Sequence, residues 1–209
     1  MPIGRSAPQG PDALVAELAA HVGDERVLAA IAAVPRDRFV PPELQRRAWA
    51  NESLPIAEGQ TISQPLVVAR MCQLLELNGQ ETVLDVGTGS GYHAAVLARL
   101  ARRVVSIERH AALSATAADS LRAAGVTGVE LVVGDGSLGY APAAPYDAIN
   151  VAAASAGGVP PALAEQLALG GRLVLPEDGR DQRLVLIRRH ARGTSRELFE
   201  RVRFVPLVR

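Results

Sequence analysis

The chain has no lysine. All 22 of its basic residues are arginine, and 22 acidic residues balance them to a net charge of zero. A nucleic-acid binder is expected to carry a basic surplus or patch, and this balance offers neither. Aromatic residues make up 3% of the 209 positions, too few for a base-stacking platform. The single cysteine, Cys72, excludes an internal disulfide and fits a reducing compartment. No apolar run approaches the roughly 18 residues of a membrane span. Residues Met1–His21 include Arg5, Asp12, Glu17 and prolines, without the charged-then-apolar order of a signal peptide. The expectation is a soluble, cytoplasmic globular protein. Its length fits one domain, and 48% hydrophobic residues suffice for a core.

What is present divides the chain in two. Residues 1–10 read as a loose tail. Asp12 can cap a helix over Ala13–His21, and Asp24 another over Glu25–Val34 that Pro35 ends. A short helix follows over Glu43–Ala48. Residues 54–62 have no clear period and read as a loop. Pro65–Leu75 forms a further helix, because proline suits a first turn. From residue 82, β-rich runs (82–86, 103–108, 129–133, 146–151, 172–175, 183–188 and 201–205) alternate with Ala-rich helical runs (91–101, 110–124 and 160–168). Such alternation indicates an α/β fold with a mainly parallel sheet. The last two strands, with no helix between them, should form a hairpin.

The most informative segment is Thr82-Val83-Leu84-Asp85-Val86-Gly87-Thr88-Gly89-Ser90-Gly91-Tyr92. A buried strand runs into three glycines and opens a helix, as in nucleotide-binding turns, where bare backbone approaches the ligand closely. The next strand ends at Glu108, whose carboxylate can accept both hydroxyls of a ribose. Tyr92 replaces the third glycine of the dinucleotide fingerprint, and without lysine there is no P-loop. A ligand with adenosine but no phosphate fits better, and S-adenosylmethionine is such a ligand. Asp85 could face its cationic end, and the helix N-terminus its carboxylate. Asp135 and Gly136, after the third strand, could reach the adenine amino group. A tight turn with two solvated carboxylates is the bland alternative.

Leu54-Pro55-Ile56-Ala57-Glu58-Gly59-Gln60-Thr61-Ile62-Ser63-Gln64-Pro65 and Val202-Arg203-Phe204-Val205-Pro206-Leu207 carry more specific information. So do Gln166–Val174 and Ala144–Ile149. Together with the glycine turn, they resemble the protein-L-isoaspartate O-methyltransferases over about residues 25–208. The resemblance implies a Rossmann-like methyltransferase fold, with a seven-stranded, mainly parallel sheet, helices on both faces and an N-terminal helical extension. Residues 1–75 would hold that extension and the active-site loop, and residues 76–209 the core, as one structural unit. It implies methyl transfer from S-adenosylmethionine to the free α-carboxylate of L-isoaspartyl residues. The ester then collapses to a succinimide, which starts repair of the damaged protein. By the same resemblance Ser63 is the active-site residue, Thr61, Ile62 and Ser63 line the cofactor, and Ile56, Val205 and Leu207 meet the peptide. Gly87, Thr88, Gly89 and Gly91 complete the cofactor set, and a monomer is expected.

The chemistry requires little. A carboxylate of ordinary pKa around 4 is already ionised at pH 7, so no general base is needed. Attack of an anion on a sulfonium annihilates charge, and a site that excludes water favours it. Ser63 would orient the substrate carboxylate. Read without the resemblance, a serine before Gln64-Pro65 and an apolar helix looks like an N-cap. Departures from the family pattern fall at Ala57, Ala152 and Glu177-Asp178, near the expected substrate side. His21, His93, His110 and His190 lack metal-ligand spacing, and Cys72 reads as core. Three rivals compete with the repair enzyme. The first is a carboxyl methyltransferase dedicated to one peptide. The second is a nucleic-acid amino-group methyltransferase, which would want an Asn/Asp-Pro-Pro-aromatic run where Asn150-Val151-Ala152-Ala153 stands. The third is a non-catalytic S-adenosylmethionine-binding module.

Overall fold

Runs rich in Val, Ile and Leu become strands, and Ala-rich runs become helices, as their intrinsic preferences favour. The computed structural model describes residues 10–208, so the expected loose tail lies outside the described residues except for Gly10. The chain begins with helices α1 (Pro11–Leu18) and α2 (Glu25–Ala33). A small hairpin follows, β1 (Leu54–Pro55) and β2 (Thr61–Ile62), and then α3 (Pro65–Leu75). The main sheet is built from β3 (Thr82–Val86), β4 (Arg103–Glu108), β5 (Val129–Val133), β6 (Tyr146–Val151), β7 (Leu167–Glu177), β8 (Arg183–His190) and β9 (Gly193–Arg201). Helices α4 (Tyr92–Leu100), α5 (Ala111–Ala123) and α6 (Pro161–Gln166) lie between its strands in sequence.

The strand order is β5-β4-β3-β6-β7-β8-β9. Pairings from β5 to β7 are parallel, and β7–β8 and β8–β9 are antiparallel. The order reverses between β3 and β6. In an open α/β sheet a ligand crevice forms at such a reversal, beyond the carboxyl ends of the strands.

Alternate side chains of each strand face opposite ways. Val83, Val104, Ala148 and Val174 pack under α1–α4 in one core. Leu84, Val86, Ile149 and Leu173 pack under Leu163 of α6 in the other. The sheet is therefore covered on both faces, and the N-terminal helices share a core with it. Among the described residues no helix is long and apolar enough to cross a membrane.

Several boundaries differ from expectation. Helix α1 starts at Pro11 with Gly10 at its cap position, so Asp12 sits in the first turn and caps nothing. Proline's fixed φ suits the first helical position, which moves the start upstream. Asp24 does cap α2, accepting from the N–H of Arg26 at 2.9 Å and of Val27 at 3.4 Å. Residues 43–48 form a 3₁₀ helix over Pro42–Arg47. Residues 54–62 are a hairpin, with Leu54 opposite Ile62 and Pro55 opposite Thr61, too short to leave a period in sequence. The last strand lies at Gly193–Arg201 and not at 201–205. It is a charged edge strand, a common device against stray strand pairing, and so lacks the apolar alternation used to find it.

Candidate active site

The chain places two adjoining cavities at the β3/β6 reversal. The larger, about 590 Å³ including its opening to solvent, is lined by Gly87, Glu108, Gly136, Ala152, Val205 and Leu207, among others. The smaller, about 310 Å³, is lined by Ile62, Ser63, Val68, Thr88, Ser90 and His93, among others. Thr61, Gly87, Gly89 and Ala152 border both.

The glycine turn is held from below. Gly87 N–H donates to the Ile107 carbonyl at 2.9 Å. Glu108 accepts from the N–H of Gly89 and of His110, both at 2.9 Å, one on each carboxylate oxygen. Each oxygen keeps a lone pair for a further donor. Gly136 touches the floor closely: a Cβ there would stand 2.5 Å from Val86 Cγ1. Gly91 lines neither cavity. Its φ of +88° and a would-be Cβ 3.2 Å from Ala117 Cβ make it the packing point of α4 on α5.

Asp85 is not in the cleft. It shares the strand face of Val83, under α3 and α4, and is fully buried. Its oxygens accept from Ser106 Oγ and Asn150 Nδ2, each at 2.7 Å. Because Ser106 donates to Asp85, the Thr88 hydroxyl must donate to Ser106 Oγ, at 2.7 Å. Burial pushes the Asp85 carboxyl up to about 6, against the pull of these two hydrogen bonds. Asn150 Nδ2 also faces His93 Nδ1 at 3.2 Å, which leaves the ring proton on Nε2, 3.6 Å from Cys72 Sγ. Burial pushes His93 down to about 3, so the ring is neutral. The Cys72 thiol is pushed up, chiefly by its burial. Asp135 Oδ1 accepts from the N–H and the hydroxyl of Ser137, capping a short turn, and Gly136 rather than Asp135 lines the cavity.

Ser63 is not an N-cap. Proline disfavours the α region for the residue before it. Gln64 therefore stays extended, at φ −55° and ψ 132°, and occupies the cap position itself without a side-chain cap bond. The Leu66 N–H of the first turn is instead accepted by Asn51 Oδ1 at 3.0 Å. Ile56 lines neither cavity, and its Cδ1 stands 3.7 Å from where a Gly89 Cβ would be.

Of the expected residues, the chain thus brings together Thr61, Ile62, Ser63, Gly87, Thr88, Gly89, Glu108, Gly136, Val205 and Leu207 around the cavities. It sets Ile56, Asp85, Gly91 and Asp135 outside their linings. His110, close in sequence to the cofactor turn, is also in the lining, and sequence reasoning missed Gln60, Arg109 and Pro206 there. Arg109 directly follows Glu108, which is the signal that could have found it. His110 Nδ1 also lies 3.8 Å from Glu58 Oε2 at the hairpin tip. The C-terminal wall is stitched to the segment after β6 by hydrogen bonds from Ala154 N–H to the Val205 carbonyl and from Leu207 N–H to the Ala154 carbonyl, at 2.8 and 2.7 Å.

The family model for protein-L-isoaspartate(D-aspartate) O-methyltransferase (PCMT) matches residues 10–209. The chain belongs to this family. It is 53% identical over 189 residues to the protein-L-isoaspartate O-methyltransferase of Methanoculleus marisnigri, covering 90% of this chain and 85% of the relative. It is 49% identical over 192 residues to that of Herpetosiphon aurantiacus, covering 90% and 84%. A solved protein-L-isoaspartate O-methyltransferase superposes with a TM-score of 0.84 at 26% identity, over 94% of this chain and 65% of the other. A Plasmodium falciparum family structure in complex with S-adenosyl-L-homocysteine superposes with a TM-score of 0.81 at 22% identity, over 98% and 99%, a likeness of fold.

Proposed function

We propose that the chain methylates the free α-carboxylate of L-isoaspartyl residues in damaged proteins, with S-adenosylmethionine as methyl donor, and so initiates their repair through a succinimide. Membership of the family, with relatives of this name at about 50% identity, supports the reaction. The observation that carries it is the junction of the two cavities, where Ser63 and the glycine turn adjoin at the sheet's reversal point.

The residues fit this cofactor. The larger cavity is walled in part by glycine backbone, and Glu108 on its lining offers spare lone pairs to vicinal hydroxyls. When bound, S-adenosylmethionine supplies an electrophilic methyl group on a sulfonium. Glu108 would accept the ribose hydroxyls, with Gly87, Gly89 and Gly136 forming the surrounding wall. Thr61, Ile62 and Thr88 would border the passage toward Ser63. The Ser63 hydroxyl would donate to one oxygen of the substrate carboxylate and leave the other to react. The apolar side chains of Ile62, Val68 and Ala152 line the same cavity and would help an anion shed its hydration. Val205 and Leu207, on the opposite wall, would hold the peptide backbone. No side chain is required as a base, and the nearby His93 has both ring nitrogens engaged.

We place the protein in the cytoplasm, as a monomer acting on peptides and not on nucleic acid. Its single buried cysteine and zero net charge support that reading. The deciding experiment offers labelled S-adenosylmethionine with two peptides that differ only in L-isoaspartate against L-aspartate. Base-labile label on the isoaspartyl peptide alone is expected. Label on neither, with the cofactor bound, would replace this reading with a dedicated-peptide enzyme or a binding module.

A further inference from the structure

The neighbours of Ser63 are held by a residue twelve positions upstream. Asn51 Oδ1 accepts the Leu66 N–H, and the Asn51 carbonyl accepts Gln64 Nε2, both at 3.0 Å. Helix α3 thus receives its cap from Asn51. Among the described residues, the Ser63 hydroxyl has no hydrogen-bond partner; the residue follows β2 directly and lines the smaller cavity.

Asn51 is itself fixed. Its Nδ2 donates to Glu17 Oε1 of α1 at 2.9 Å. On either side of it, the buried guanidinium of Arg36 receives two carbonyls, with Nε donating to Ala48 at 2.9 Å and Nη2 to Glu52 at 3.2 Å. The same guanidinium lies 4.7 Å over the ring of Tyr92, the first residue of α4 after the glycine turn. The loop that grips Ser63's neighbours and the turn that borders the cofactor cavity are therefore clamped to one buried cation.

We infer that Asn51 is a positioning residue for methyl transfer: by capping α3 from outside the helix, it holds Ser63 beside the glycine turn and leaves its hydroxyl free for the substrate carboxylate. This rests on the role proposed above for Ser63. Proline at position 65 makes an outside cap necessary, since it denies Ser63 the cap position and leaves Gln64 to fill it poorly. Asn51 is not a catalytic residue: it lines neither cavity, and among the described residues its hydrogen bonds join it to Glu17, Gln64 and Leu66.

The test compares wild type with Ser63→Ala, Asn51→Ala, Asn51→Asp and the double variant Asn51→Ala/Ser63→Ala on the isoaspartyl peptide. Steady-state kinetics, calorimetric cofactor affinity and thermal unfolding are read for each. Ser63→Ala and Asn51→Ala should each lower kcat/KM about tenfold, the worth of one ordinary hydrogen bond. Cofactor affinity of Asn51→Ala should stay within about twofold, since Asn51 lines neither cavity. Asn51→Asp should restore activity, because aspartate caps as well as asparagine and the exposed Glu17 can swing into water. The double variant should lose about tenfold and not a hundredfold, since a misplaced hydroxyl no longer matters once it is removed.

A loss that is additive with Ser63→Ala, or that follows cofactor affinity or melting, would overturn the inference and make the cap purely structural. Full activity in Asn51→Ala with an impaired Ser63→Ala would overturn it while sparing the role of Ser63. Full activity in Ser63→Ala would remove both. If Asn51→Ala does not fold, Asn51→Ser, with an acceptor on a shorter arm, takes its place in the same cycle.

Discussion

Two carboxylates one strand apart do different work because one lines a cavity and the other is sealed beneath helices. Glu108 ends its strand at the cavity and ties down the N–H groups of Gly89 and His110. Glu108→Ala should weaken S-adenosylmethionine binding about 10- to 100-fold, the range expected when hydrogen bonds to a charged group are lost. Calorimetry checks this, and an affinity equal to wild type would refute the ribose assignment. Asp85 is buried beneath the turn, and its carboxyl is pushed up to about 6. The unfolded chain releases the same proton near pH 3.9. Between these values the native state binds more protons than the unfolded state, so this group makes stability fall as pH rises and then levels off above about 6. Asp85→Asn removes that cost. Its carbonyl can accept from Asn150, and its NH₂ can donate to Ser106 if that hydroxyl turns to Thr88. The variant should therefore be more stable than wild type above pH 6, by at most roughly 3 kcal/mol, with the gain gone near pH 4. Unfolding midpoints across that range would show it, and a gain that grows toward low pH would contradict the sign.

An element is only as well placed as its end residues allow. Gly91 starts α4 at φ +88°, with Ala117 of α5 in contact distance. Gly91→Ala should cost at least about 1–2 kcal/mol from the left-handed backbone alone. Urea unfolding would measure it, and an unchanged midpoint would show that α4 can shift on α5. How far elements were legible in sequence follows from where their signal lay. Strands β3, β4 and β6 are largely buried runs flanked by turn residues, and β5, though half-exposed, is still a Val- and Leu-rich run, so their bounds could be read from composition. Strand β9 could not, because Arg196 and Glu200 hold it through ion pairs with Glu177 and Arg70 instead of an apolar face. Glu108 was legible because a strand end after a glycine turn has a fixed place in this topology. Asp85 was misread because sequence gives its position on β3 but not which sheet face α3 and α4 would close over. Ser63 resembled a cap for α3 because local pattern cannot see a donor–acceptor pair 15 residues apart, such as Leu66 with Asn51.

At the scale of the whole molecule, the question is whether residues 1–75 are an appendage or part of the fold. We propose that they form one structural unit with residues 76–209. Leu14 and Leu18 of α1, Ile31 of α2, and Met71 and Leu75 of α3 are all fully buried, in the same core as Val83, Val104 and Ala148 of the sheet. Burying five such side chains is worth about 8–15 kcal/mol, comparable with the entire stability of an ordinary domain. Removing them would also uncover part of the sheet face on which Asp85 and Asn150 lie beneath His93 of α4, opening a buried carboxylate network to water. A chain of residues 76–209 alone should therefore show no cooperative thermal transition and should bind hydrophobic dye, although it keeps the glycine turn and Glu108. Calorimetric unfolding of the two chains side by side tests this. A sharp transition for 76–209, with cofactor affinity retained, would show that the N-terminal helices serve the peptide side of the cleft and not the fold.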